Sequence, residues 1–222
     1  MIPFEDYSDL FHHPAFVAGF SCRARRSGKL TDREQLAVEL GLDPGKLVYP
    51  NQVHSSTVAW VDRPGHYSAT DGILTDNKAM TLSIQVADCI PVFLLDAEKA
   101  WGLVHAGWRG LVSGIIPNAI RQMNSRGSQS KHIAVVLGPS ICAKHFEIGQ
   151  DIESRFDPRF VLHRDNKTCV DLKGIARDQL MRAGVPAAQI TTHDGCTWEE
   201  KDHYYSYRRE GQAAGRMIAI MG

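Results

Sequence analysis

The sequence predicts an α+β fold, a single domain of mixed β-sheets flanked by helices. Three observations carry that expectation. Apolar residues recur at helical spacing in several stretches, apolar runs of strand length are interspersed with them, and at least two neighbouring strands are joined by only a few residues. A connection that short excludes a parallel pair, so part of the sheet must be antiparallel.

In chain order, Thr31 followed by Glu34 forms a capping-box pattern ahead of Leu36, Ala37, Leu40 and Leu42, predicting a short helix that ends near Gly41. Met80, Leu82, Ile84 and Val86 alternate with Thr81, Ser83 and Gln85, the period of a strand. Residues 90–95 are a continuous apolar run, and a polar turn at about residues 96–99 leads into a second run that ends at His105, which together read as a hairpin. Leu111, Val112, Ile115, Ile116, Ala119, Ile120 and Met123 predict one helix with a broad apolar stripe. A polar surface loop at 125–131 precedes a buried strand at 133–137. Asp171 is placed to cap a helix carrying Leu172, Ile175, Ala176 and Leu180, which Gly184 stops. No repeat or long linker divides the chain, so residues 1–222 read as one domain.

Composition narrows the function classes. The 222 residues are 43% hydrophobic and 23% charged, enough apolar surface for an ordinary core. Twenty-five Lys and Arg balance twenty-five Asp and Glu, which leaves no cationic footprint; neither nucleic acid nor a membrane is an expected partner. Glu5, Asp6 and Asp9 stand where a leader would carry basic residues, and no stretch approaches the ~18 apolar residues of a membrane span, so a cytoplasmic protein is expected. Five cysteines without a C-x-x-C pair read as free thiols. No G-x-G-x-x-G loop occurs, and the segment at 41–46 is one spacer short of a P-loop. No His-x-His pair of the kind that holds clustered copper ions occurs among the ten histidines.

The chemistry concentrates in residues 87–110, ADCIPVFLLDAEKAWGLVHAGWRG. A hairpin symmetric about residue 97 sets Cys89 directly across from His105, with both side chains on one face; a loop one residue different would turn one of them away. His54, in the polar stretch NQVHSSTV (51–58), is a third donor. One thiolate and two imidazoles are a ligand set that zinc accepts while leaving a fourth position open. Arg23 and Arg109 are candidate anion holders, because a guanidinium fork fits phosphate or carboxylate, and Arg109 sits in a turn framed by Gly107 and Gly110. Arg208 and Arg209 form a second basic cluster after three tyrosines, and Cys142, just beyond Gly138, Pro139 and Ser140, is a reserve nucleophile.

The motifs NQVH (51–54), TDGILTD (70–76), ADCIP (87–91), HAGWRG (105–110), GPSI (138–141), FEIG (146–149) and SYRR (206–209) occur in this order. Together they closely resemble the laccase-domain family, the multicopper polyphenol oxidase-like proteins of the FAMIN type, over about residues 19–217. The resemblance implies a single α+β domain and a zinc site whose His, Cys and His fall on His54, Cys89 and His105. It also implies phosphorolysis of adenosine, inosine, guanosine or methylthioadenosine to base and sugar 1-phosphate, with adenosine deaminase activity, so that a purine nucleoside and phosphate are the expected partners; it leaves the oligomeric state open. Two alternatives accompany it. The family's oxidase name implies copper and phenol oxidation, and a bacterial role in peptidoglycan precursor editing implies a metal-free cysteine hydrolase with a Cys89–His105 dyad. The sequence departs from the family at 21–28, SCRARRSG, where Arg23 still aligns but Arg25 and Arg26 replace paired glycines.

Overall fold

The computed structural model describes residues 3–11, 13, 16–23 and 30–222. The chain enters through β1 (Phe4–Asp6) and β2 (Ala18–Ser21), crosses α1 (Leu30–Glu39), and continues through β3 (Leu47–Pro50), β4 (Val58–Trp60), β5 (Gly65–Tyr67), β6 (Gly72–Thr75) and β7 (Thr81–Val86). The hairpin β8 (Ile90–Asp96) and β9 (Ala100–Ala106) leads to α2 (Trp108–Val112) and α3 (Ile115–Ser125). Beyond them come β10 (Ala134–Leu137), β11 (Glu147–Ile148), α4 (Gln150–Glu153), β12 (Val161–Arg164), β13 (Lys167–Val170), α5 (Leu172–Arg182), β14 (Ile190–Thr192), α6 (Tyr207–Glu210) and β15 (Met217–Met221).

Two six-stranded mixed sheets, in the orders β1-β2-β15-β7-β3-β5 and β14-β10-β8-β9-β6-β4, pack face to face, and a three-stranded antiparallel sheet, β11-β13-β12, stands apart. Strand alternation explains the layers. Phe93 and Leu95 of β8 and Trp101 and Leu103 of β9 pack against Leu82, Ile84, Val86, Met217 and Ala219 of the other sheet, while Ile90, Val92, Leu94 and Val104 point to α3 and α5. On the outer face of the first sheet, Leu36 and Ala37 of α1 cover Leu47, Ile218 and Ile220. The order of layers is therefore helix, sheet, sheet, helix. Because both faces of β8 and β9 are covered, every residue of the hairpin strands is buried, which is why they read as continuous apolar runs. Among the described residues no helix is long and apolar enough to cross a membrane.

The mixed architecture flanked by helices is the one the sequence predicts, with local corrections. The apolar stripe from Leu111 to Met123 is carried by two helices, because Gly114 takes φ 79° between them, a left-handed conformation that glycine adopts without Cβ strain. Thr31 lies within the first turn of α1, which begins at Leu30, and not at its cap. Asp171 does cap α5, accepting from the Gly174 amide at 2.8 Å. The departure at 21–28 extends into residues 24–28, which lie outside the described residues.

Candidate active site

The hairpin register differs by two residues from the expected one. Pro91, not Cys89, pairs with His105, and Asp96 pairs with Ala100, so the turn spans residues 97–99. A shift of two preserves the face, since side chains alternate with period two. Cys89 therefore stands beside Gly107, just past the end of the paired strands, and a Cβ on Gly107 would lie 2.9 Å from Cys89 Sγ and 3.1 Å from His54 Cδ2. Only a glycine leaves room there for the thiol and the imidazole.

His54 comes from the loop after β3, where its backbone takes φ 61°, an uncommon value for a residue with a side chain. Asp71, at the start of β6, holds it there. The Asp71 carboxylate accepts the backbone N–H groups of Val53 (3.2 Å), His54 (2.9 Å) and Ser55 (2.6 Å), the Ser55 hydroxyl (2.8 Å) and His105 Nδ1–H (2.9 Å). Five donors on one fully buried carboxylate satisfy the need of a desolvated charge for partners. Burial alone would raise the Asp71 carboxyl; the bonds from His105 and Ser55 outweigh it and hold it down at about 2.

With its Nδ1 committed to Asp71, His105 presents Nε2 to Cys89. The rings of His54 and His105 stand edge to face, centroids 4.8 Å apart, and one ligand atom from each of His54, Cys89 and His105 lies within 4.8 Å of the others. Burial pushes the Cys89 thiol up, but the His105 charge and hydrogen bonds from His105 and His54 outweigh it and bring the thiol to about 6. His105 shifts in the opposite sense: burial lowers it, and Cys89 and Asp71 raise it to about 9. The opposed shifts favour a thiolate beside an imidazolium, and a cation can take the place of the shared proton. A soft thiolate, two imidazoles and a carboxylate behind one of them fit a metal ion.

These residues open into a cavity of about 640 Å³, a size suited to a small organic ligand. Pro50, Asn51, Gln52, Gln85 and Asp88 line it from the ends of β3 and β7; Trp108 and Arg109 from α2; Phe146, Tyr207, Arg208 and Arg216 from the far wall. Arg109, exposed and stacked over Trp108 at 4.4 Å, is among the lining residues. Arg23 does not line the cavity: its guanidinium is bound to Glu210 at 2.7 Å and stacked on Tyr205 at 4.5 Å. Cys142 is not among the lining residues either; it packs against Cys196, whose Sγ accepts the Cys142 N–H at 3.3 Å.

Four residues were not singled out by sequence. Asp71 lies in TDGILTD, a motif noted only as a unit. Asp88 precedes Cys89 with φ 83°, its carboxylate accepting the Thr197 hydroxyl and the Arg208 N–H, both at 2.6 Å. Ser206 caps α6 through the Arg209 N–H, which sets Arg208 against Asp88. Arg216, over the Tyr207 ring, is with Arg109 and Arg208 one of three arginines that line the cavity. Arg209 is instead spent on the carbonyls of Thr197 and Trp198.

A family model described as multi-copper polyphenol oxidoreductase laccase matches residues 17–222. The chain is 34% identical over 196 residues to a protein of Deinococcus radiodurans named purine nucleoside phosphorylase, covering 86% of this chain and 76% of that one. It is 32% identical over 206 residues to adenosine deaminase RL5 from an unknown prokaryotic organism, covering 84% and 79%. Among solved structures, YlmD from Geobacillus stearothermophilus superposes with a TM-score of 0.86 at 25% identity, covering 94% of this chain and 92% of that one.

Proposed function

Because this chain belongs to the multi-copper polyphenol oxidoreductase laccase family, we propose that it is a zinc-dependent purine nucleoside enzyme. It cleaves adenosine, inosine, guanosine or methylthioadenosine by phosphorolysis and also deaminates adenosine. Relatives named purine nucleoside phosphorylase and adenosine deaminase support the substrate class. The observation that carries the reaction is the cavity itself, which joins His54, Cys89 and His105 to Arg109, Arg208 and Arg216. Anion-holding arginines in the same cavity as a metal-ligating trio are what phosphate-dependent cleavage of a neutral nucleoside requires.

His54, Cys89 and His105 would hold the zinc, which when bound would supply Lewis-acid polarisation. Asp71 keeps the His105 proton on Nδ1, so Nε2 is free to ligate. Arg109 and Arg208 hold phosphate against the sugar; its oxygen forms a bond to the anomeric carbon as the bond to the purine nitrogen breaks, and the base leaves with the bonding pair and takes up a proton. In deamination water adds to the purine ring and ammonia leaves. Phe146 and Tyr207 add aromatic lining beside the base. Five free cysteines suit the reducing cytoplasm.

Asp71, His105 and Cys89 also stand in the order of a cysteine-hydrolase triad, and this favours a second reading in which Cys89 is a metal-free nucleophile. Metal analysis coupled to a nucleoside panel with and without phosphate separates the readings. The proposal expects phosphate-dependent release of base and sugar 1-phosphate, lost with one zinc per chain in Cys89→Ala. Full activity of zinc-stripped protein would move the assignment to the hydrolase, and a visible copper band with oxygen uptake would move it to the oxidase.

A further inference from the structure

Away from the cavity, a second set of ligating side chains joins two loops that have no regular sheet between them. Cys142, Cys196 and Glu199 bring one ligand atom each within 4.8 Å of the others. His145 Nε2 lies 2.9 Å from Glu199 Oε1, with its ring stacked on Trp198 at 3.9 Å between centroids. The segments meet through one isolated bridge, Ser140 with Cys196, and two longer backbone hydrogen bonds, Ser140 N–H to Gly195 O at 3.4 Å and Thr197 N–H to Ser140 O at 3.2 Å. The geometry points to a second metal site here: a zinc ion held by Cys142, Cys196 and Glu199, with His145 as the fourth ligand, clamps loop 139–146 to loop 193–200.

Donor chemistry selects the ion. Two thiolates with an imidazole and a carboxylate are a set that zinc binds tetrahedrally and that calcium or magnesium, which take oxygen ligands, do not. On binding, both thiols release their protons to solvent and each sulfur forms a bond to the metal. Two groups offset that charge. The Cys142 N–H already points at Cys196 Sγ, and the Lys173 ammonium, anchored on the Gly195 carbonyl at 3.2 Å, lies within electrostatic reach of both sulfurs. Two thiolates and Glu199 are then balanced by the divalent ion and Lys173. Cys196 is buried, Cys142 half-buried and Glu199 exposed, so the ion can reach the site from the Glu199 side.

The clamp touches the other site through Asp88. Ile141, next to Cys142, donates its N–H to the Asp88 carbonyl at 3.0 Å, and Thr197, next to Cys196, donates its hydroxyl to the Asp88 carboxylate. Fixing the two loops fixes the residue that sets the direction of Cys89.

The test isolates this ion from the one at His54, Cys89 and His105. In Cys89→Ala protein dialysed against zinc, about one zinc per chain is expected to remain, and Cys89→Ala/Cys142→Ser is expected to hold almost none. Glu199→Gln in the same background is expected to weaken zinc by about 10-fold or more, and zinc is expected to slow alkylation of Cys142. These two arms decide the matter if the Cys142 variant does not fold. Equal zinc in Cys89→Ala with and without Cys142→Ser, alkylation unaffected by zinc, or a Cys142–Cys196 disulfide in zinc-treated protein would overturn the site. Nucleoside turnover is read separately, so either proposal can fail without the other.

Discussion

His105 Nδ1 lies 2.9 Å from Asp71 Oδ1, with Asp71 at 0% and His105 at 3% exposure. The same carboxylate gathers the backbone of residues 53–55, so one side chain sets both the tautomer of one imidazole and the loop that carries the other.

Asp71→Asn is therefore expected to lower zinc affinity and turnover together, by about 10–100-fold, because an amide turns a donor toward groups that need an acceptor. Zinc titration and melting temperature check this. An unchanged zinc affinity would remove Asp71 from the positioning role.

Gly107→Ala places a methyl 2.9 Å from Cys89 Sγ. The expected result is a loss of activity of about 10-fold or more from a displaced ligand, at a stability cost of about 1–3 kcal/mol. Wild-type zinc affinity in this variant would mean that the thiol can give way.

Arg109 has no carboxylate partner among the described residues and lines the cavity. Arg109→Lys keeps the charge but loses the fork of donors. The apparent KM for phosphate is expected to rise by about 10-fold, while adenosine deamination, which uses water, falls less. Equal losses in both reactions would take Arg109 out of the phosphate site.

Glu5 ties β1 to the C-terminal half. Burial would raise its carboxyl, but bonds from His193, Tyr204, Tyr7 and His203 outweigh it and bring it from 4.5 to about 2. A depressed folded value means that the stabilisation is complete above pH 4.5 and is lost as pH falls toward about 2. The shift corresponds to up to about 3 kcal/mol. Melting temperatures across that window should fall more steeply for wild type than for Glu5→Gln; parallel curves would show that Glu5 contributes no acid sensitivity.

Much of the fold was legible because it is local. The alternation at 80–86, the apolar runs of β8 and β10, and the Asp171 cap depend on residues a few positions apart. Sequence spacing missed the break at Gly114, since the apolar stripe continues across it and only a φ of 79° separates the helices. His54, Cys89 and His105 do converge, although the hairpin is centred one residue later than the sequence implied; the whole pairing moved by two, and period two kept the face.

What the sequence by itself determined is the more strongly patterned helices and strands and the choice of His54, Cys89 and His105 as candidate ligands, because side-chain chemistry and periodicity are written residue by residue. Tertiary structure alone decided which distant groups share a charge. Asp71 reaches His105 across 34 positions, Cys142 meets Cys196 across 54, and Asp88 meets Thr197 across 109. Arg23, by contrast, is drawn to Glu210 and away from the cavity. Each pairing follows from where the packed sheets carry a buried polar group and from the cost of leaving that group without a partner, and no spacing along the chain encodes either.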